Sequence, residues 1–212
     1  MLITWYGQAS FRLESKEVRV LIDPFDKKTG LKPPRINDTI VLVTHDHHDH
    51  NAVGDTESQT LLITGPGEYE KSGVQIVGIN SFHDNEQGAT RGLNTIYVVK
   101  LEDITLCHLG DLGQSALTAE QVEIIGNVDI LMIPIGGTYT IDGKQAMSII
   151  KQIEPKLIIP MHYKIPGLTI DLEGPQVFLK EIGIKPEEQG ESYRIVAKAL
   201  PTEEMKLITF NL

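Results

Sequence analysis

The 212-residue chain is poor in cysteine: Cys107 stands alone. One thiol allows no internal disulfide, so a reducing, cytoplasmic setting is the expectation. Long apolar runs are missing too. No stretch approaches the roughly 20 residues of a transmembrane helix. The start, Met1 to Gly7, lacks a basic region followed by an apolar core, so neither a signal peptide nor membrane insertion is expected. Positive charge is scarce: 19 Lys and Arg face 29 Asp and Glu, for a formal net charge of −10. A general binder of nucleic acid or anionic membrane needs the opposite balance. There is no low-complexity segment, no linker that splits the chain and no clear repeat. The length suits one domain over residues 1–212, with a sizeable core.

Short alternating segments dominate the first half. Leu2 to Tyr6, Ser10 to Glu14, Val18 to Ile22, Ile40 to Thr44, Leu61 to Thr64, Val74 to Ile79, Asn94 to Val99 and Ile104 to Cys107 read as strands. Asn85 to Gly92 is polar and glycine-containing, and reads as a mobile loop. Helices then alternate with strands. Thr118 and Gln121 make a capping-box pattern for a helix to Ile125. Asp142 caps a helix with Ala146, Ile149, Ile150 and Ile153 on one face. Gly174-Pro175 opens a third helix, closed by Gly183. Asp129 to Pro134, Lys156 to Met161, Ser192 to Lys198 and Glu204 to Asn211 are the remaining strands. Many strands followed by β-α-β units imply an α/β protein with two sheets sandwiched between helices.

The densest chemistry lies at residues 45–50, where four of the seven histidines and two aspartates fill six positions directly after the run Thr39 to Val43. One register gives His-x-His-x-Asp-His: His45, His47, Asp49 and His50. Imidazole with carboxylate suits a divalent cation of zinc, iron or manganese type. The spacing fits two ions better than one. His45 and His47 face the same side of an extended segment, and Asp49 and His50 follow the turn. Four ligands from one loop cannot complete two sites. His83 and His162 each follow a strand, and Asp111 sits between glycines in His108 to Gly113. Asp46 and His48 fill the variable positions. Asp23 is either a turn-initiating Asp-Pro or a hydrogen-bond partner for a ligand imidazole.

The His-x-His-x-Asp-His set, a lone His83, Gly110-Asp111 and Pro160-Met161-His162 together resemble the metallo-β-lactamase fold superfamily. The segments Ile3 to Phe11, Leu21 to Phe25, His108 to Gly113 and Pro134 to Thr140 resemble one branch of it. That branch holds small hydrolases related to ascorbate-6-phosphate lactonase and N-acylphosphatidylethanolamine phospholipase D. The resemblance runs from Ile3 to Tyr163 and implies a four-layer αββα sandwich. It implies one cation on His45, His47 and His83, a second on Asp49, His50 and His162, and Asp111 between them. Zinc is the first expectation, with manganese or iron as alternatives. The branch often has histidine where this chain has Gln8, which leaves the role of that turn open. His108 is the alternative to His83 as ligand; otherwise it faces substrate or supports the catalysis.

The resulting expectation is a dinuclear metal-dependent hydrolase of an ester, lactone or phosphodiester, in which metal-held hydroxide attacks and Asp49 moves the proton. A small-molecule substrate, anionic or neutral, is expected. Gly137, Thr138 and Tyr139, in a Gly-Gly turn after a buried strand, offer N–H groups and hydroxyls to an oxyanion. Tyr163 and Arg91 are further substrate contacts, with Arg91 as an anion clamp. A nuclease of the same fold is the enzymatic rival, and a metal or ligand binder without turnover is the other. A homo-oligomer is compatible with all three.

Overall fold

In the computed structural model, which describes residues 1–54 and 58–212, the strands are β1 (Leu2–Gly7), β2 (Ser10–Glu14), β3 (Arg19–Ile22), β4 (Ile40–Leu42), β5 (Leu61–Ile63), β6 (Gly67–Lys71), β7 (Val74–Phe82), β8 (Leu93–Leu101), β9 (Ile104–His108), β10 (Ile130–Pro134), β11 (Leu157–Met161), β12 (Glu187–Gln189), β13 (Ser192–Arg194) and β14 (Lys206–Phe210). The helices are α1 (Ala119–Ile125), α2 (Gln145–Ile153) and α3 (Gln176–Ile182). One sheet has the order β13-β1-β2-β3-β4-β5 and the other β12-β14-β11-β10-β9-β8-β7-β6. The two pack face to face with helices outside, an αββα sandwich. No helix among the described residues is long and apolar enough to cross a membrane.

Side-chain alternation builds the interface between the sheets. β1 buries Ile3 and Trp5 and leaves Thr4 and Tyr6 half-buried. β10 and β11 are buried at every position, as expected of parallel strands covered on both faces. α2 covers them with Ala146, Ile149, Ile150 and Ile153, while Lys151 faces solvent. Its start is secured by Asp142, whose carboxylate accepts the N–H groups of Lys144 and Gln145. The capping box at α1 forms as the sequence reads. On the first sheet, Leu21, Val41 and Val43 turn to the other face and make a small second cluster with Tyr6, Ile36 and Val53 packed against it.

Strand direction places the site. β3, β4 and β5 are parallel, and β1 runs the same way as β3 because β2 lies antiparallel between them. In the second sheet β9, β10 and β11 are parallel, and β7 shares their direction across the antiparallel β8. Carboxyl ends of like-directed strands therefore gather at one edge of each sheet. Gln8, Asp23, the 44–50 segment, His83, Asp111 and His162 all lie just past such ends. Main-chain bonds stitch the two edges together: Thr95 N–H donates to the Thr44 carbonyl at 2.8 Å, and His162 N–H to the Gln8 carbonyl at 3.1 Å.

Several elements differ from the sequence reading. β6 and β12 lie where no strand was expected. β7 runs to Phe82 and β8 to Leu101, longer than read. β13 stops at Arg194, and a short 3-10 turn occupies Ala197–Ala199 instead of more strand. The segment after His83 is tethered, not loose: the Asp84 carboxylate accepts the N–H groups of Glu86, Gly88, Thr90 and Arg91.

Candidate metal centre

Seven side chains meet where the strand ends converge. One donor atom each from His45, His47 and His83 lies within 4.8 Å of the others, and the same holds for Asp49, His50 and His162. Asp111 joins the two groups. Its Oδ2 is 3.4 Å from His83 Nε2, 3.3 Å from His50 Nε2, 3.1 Å from His162 Nε2 and 3.8 Å from His45 Nε2. Each triad draws on both sheets, since residues 45–50 follow β4 while His83 and His162 follow β7 and β11.

The ring nitrogens are aimed by their other ends. Asp23, fully buried, accepts the Thr44 N–H and the Thr44 hydroxyl, each at 2.8 Å. It also accepts His50 Nδ1–H at 2.9 Å. A carboxylate only accepts, so the His50 lone pair is at Nε2. The Thr44 hydroxyl spends its hydrogen on Asp23 and so accepts from His45 Nδ1 at 2.9 Å, which leaves the His45 lone pair at Nε2 as well. Those two Nε2 atoms are buried without a hydrogen-bond partner, as is Asp111 Oδ1. Asn94 orients Asp111 by accepting its N–H at 3.0 Å, and is itself held by Ser81 and the Leu109 carbonyl.

Electrostatics point the same way. Burial would push the His50 imidazolium down, but Asp111, Asp23 and Asp49 hold it well above the ordinary range. Burial, and then the neighbouring His50, drive His45 down to about 2. Burial also lowers His83. Asp49 and Asp111 would be raised by burial, yet His50 pulls Asp49 below the usual carboxylate range, and His162 and His50 do the same to Asp111. Carboxylates that stay ionised, set among buried imidazole nitrogens with no partner, fit a borderline divalent cation.

Glycines let the loops approach. A Cβ on Gly113 would lie 2.3 Å from the His83 carbonyl carbon, and one on Gly136 would lie 2.1 Å from the His162 carbonyl oxygen. Gln8, Asp23 and His162 hold positive φ of 54°, 47° and 52°, a costly backbone for residues with side chains, and one that recurs at functional sites.

The cluster opens into a cleft of about 560 Å3 whose lining includes His47, His48, Arg91, Tyr139 and Asp171. The Arg91 guanidinium lies over the Tyr139 ring, 5.5 Å from its centroid. Other expected residues lie elsewhere. His108 is fully buried, with Nε2 2.9 Å from the Ala9 carbonyl and Nδ1 accepting Gly110 N–H at 3.1 Å, so neither ring nitrogen reaches the cleft. Tyr163 is buried against Trp5 at 5.5 Å, and burial pushes its hydroxyl up to about 12. The N–H groups of Gly137 and Thr138 go to the carbonyls of Ile141 and Gly136, which leaves neither for an oxyanion. Asp46 pairs with Asn51 at the surface.

The sequence reading missed Asn94 and the cleft segment Thr169 to Asp171, and left Gln8 undecided. Asn94 carried a usable signal, a polar residue near the start of a mostly apolar strand. Thr169 to Asp171 carried none.

Residues 2–162 match the family model of the beta-lactamase superfamily domain. A UPF0173 metal-dependent hydrolase from Methanopyrus kandleri is 31% identical, over 91% of this chain and 99% of its own length. Another from Thermococcus kodakarensis is 28% identical, over 97% and 99%. A crystal structure from Thermotoga maritima, of a candidate Zn-dependent hydrolase of the metallo-β-lactamase superfamily, is similar with a TM-score of 0.81 and 35% identity, covering 99% of this chain and 97% of that one. The chain belongs to the metallo-β-lactamase superfamily and, within it, to the UPF0173 metal-dependent hydrolases.

Proposed function

We propose that this hydrolase works with two divalent cations, one held by His45, His47 and His83, the other by Asp49, His50 and His162, with Asp111 shared. The observation that carries this reading is the pair of donor triads within 4.8 Å, each completed from both sheets. When bound, such cations supply Lewis acidity: they lower the pKa of water towards about 7 and stabilise negative charge on a reacting oxygen. Zinc suits the nitrogen-rich donor set, and manganese or iron suit it nearly as well.

The remaining work falls to the chain. Asp49 Oδ2 is held by Gln8 Nε2 at 2.9 Å, while Oδ1 faces His48 Nδ1 at 3.7 Å on the cleft side. That arrangement leaves one carboxylate oxygen to take a proton from the attacking water and return it to the leaving group. Asp23 keeps the His50 tautomer fixed, and Asn94 keeps Asp111 aimed. Arg91 is the single Arg or Lys lining the cleft among the described residues. Its charge favours a substrate with an anionic group beside an ester, lactone or phosphodiester bond.

Elemental analysis after reconstitution should give two ions per chain, and His83→Ala should remove one while His108→Ala keeps both. Purified, metal-loaded protein should then hydrolyse members of a panel of lactones, esters and phosphodiesters. A saturating count of one ion, unchanged by His162→Ala, overturns the two-cation reading. Two bound ions with no turnover anywhere in the panel would favour a binding protein.

A further inference from the structure

The turn after β1 places an amide at the heart of the cluster. Gln8 is fully buried and holds a positive φ of 54°. Its backbone is pinned on both sides, since its carbonyl accepts the Trp5 indole N–H at 3.1 Å and the His162 N–H at 3.1 Å. The side chain is therefore aimed, not merely packed. Its Nε2 lies 2.9 Å from Asp49 Oδ2 and 2.9 Å from His162 Nε2. Asp49 only accepts, so the end of the amide facing it is the NH2 group, and the assignment does not rest on the look of the side chain. The other end, Oε1, is buried with no partner. A buried amide oxygen left unpaired calls for an explanation beyond folding.

The two amide hydrogens have different fates. One is held by Asp49. The other faces His162 Nε2, the nitrogen assigned to the second cation, whose lone pair serves one partner at a time. It cannot accept from Gln8 and also hold a cation. Loading of the second triad therefore turns one Gln8 N–H loose in a water-poor space between Asp49 and His162. The acceptor left to it is the oxygen that reacts there.

We infer that Gln8 is a catalytic hydrogen-bond donor: its Nε2–H, released from His162, binds the reacting oxygen of water or substrate, while its second N–H holds Asp49. This rests on the two-cation reading and adds a residue that the ligand set does not contain. The role needs a donor, and a side chain of the same length without one cannot replace it.

Two measurements test this. The first needs no turnover. In 15N-labelled protein, the Gln8 side-chain amide resonance is assigned by its loss in Gln8→Met. Zinc is titrated with its stoichiometry followed by elemental analysis, and inorganic phosphate is then added as an oxyanion probe. Zinc should shift one of the two Gln8 amide protons and leave the other, and phosphate should shift that same proton again. The second is kinetic. With two zinc ions still bound, Gln8→Met should lower kcat about 10²-fold with little change in KM, as for loss of one oxyanion donor, and Gln8→His, which restores an N–H, should recover part of it. Two zinc ions bound with both amide protons unmoved by zinc and phosphate, or a fully loaded Gln8→Met with wild-type kcat, overturns the inference and leaves the two-cation reading intact. Failure to bind a second zinc ion overturns both.

Discussion

At the scale of single residues, the centre is governed by groups that touch the candidate ligands from behind. Asp23 is the clearest. Asn in its place keeps the size and tolerates the positive φ, and its oxygen still serves Thr44. It presents an NH2 to His50 Nδ1, however, and so favours the wrong tautomer. Asp23→Asn should weaken cation affinity about 10–100-fold with the fold intact, as read by competition with a chelating dye; unchanged affinity would show that Asp23 only braces the turn. Cys107 gives a second prediction. It is fully buried, and burial pushes its thiol well above the usual value. The unfolded thiol ionises near about 8.5, whereas the folded one stays protonated. As pH rises past that point, the unfolded state loses a proton that the folded state keeps, so stability falls by up to about 1.4 kcal/mol per pH unit. Cys107→Ala should remove that slope in denaturation curves between pH 8 and 10, and native Cys107 should resist alkylation. Legibility at this scale was uneven. Histidines and aspartates directly after apolar runs were readable because a strand end is where polar side chains can converge. His108 sits in the same kind of position, but its direction is set by the Ala9 carbonyl, 99 residues away in sequence. No local pattern carries that.

At the scale of elements, the tight loops make the strongest predictions. Gly113 has no room for a methyl group, because a Cβ there would meet the His83 backbone at 2.3 Å. Gly113→Ala should cost roughly 1–3 kcal/mol in urea unfolding and should lower retention of the cation assigned to His83. Loss of stability with full retention would place the strain elsewhere. The Asp84 tether offers a milder test. Its four N–H acceptances, that of Arg91 first, hold its carboxyl down to about 2. Asp84→Ala should deprotect the amides of Glu86, Gly88, Thr90 and Arg91 in hydrogen exchange. It should also raise KM for an anionic substrate more than it lowers kcat, because it frees the loop that carries Arg91. The two strands missed in the sequence have one physical cause. β6, Gly-Glu-Tyr-Glu-Lys, and β12, Glu-Glu-Gln, are the two edges of the larger sheet and bury no residue fully. Edge strands are defined by a neighbour's hydrogen bonds and carry no apolar alternation, whereas β2 and α1 announced themselves through pattern and cap.

At the scale of the whole molecule, a net charge of −10 and a centre lined by ionised carboxylates both favour uptake of cations. Cation binding to the folded state alone stabilises it by mass action, about 2.7 kcal/mol per site at a hundredfold excess over Kd. For a chain of this size that corresponds to a rise in Tm of roughly 5–10 °C per site. Stripping with a chelator should lower Tm by that order and zinc should restore it, in two steps if the triads load separately. A Tm indifferent to chelator would remove the assigned triads from consideration as strong sites.

Because each candidate triad draws its residues from both sheets, a cation bound there would also be a mechanical fastener. The sandwich resembles two leaves joined along one margin by Thr95–Thr44 and His162–Gln8 main-chain bonds. Metal coordination at that margin would clasp the leaves where the reaction cleft opens. A pulling experiment that separates the leaves should therefore meet a resistance set by zinc concentration, and the clasped margin would be the last part of the sandwich to part.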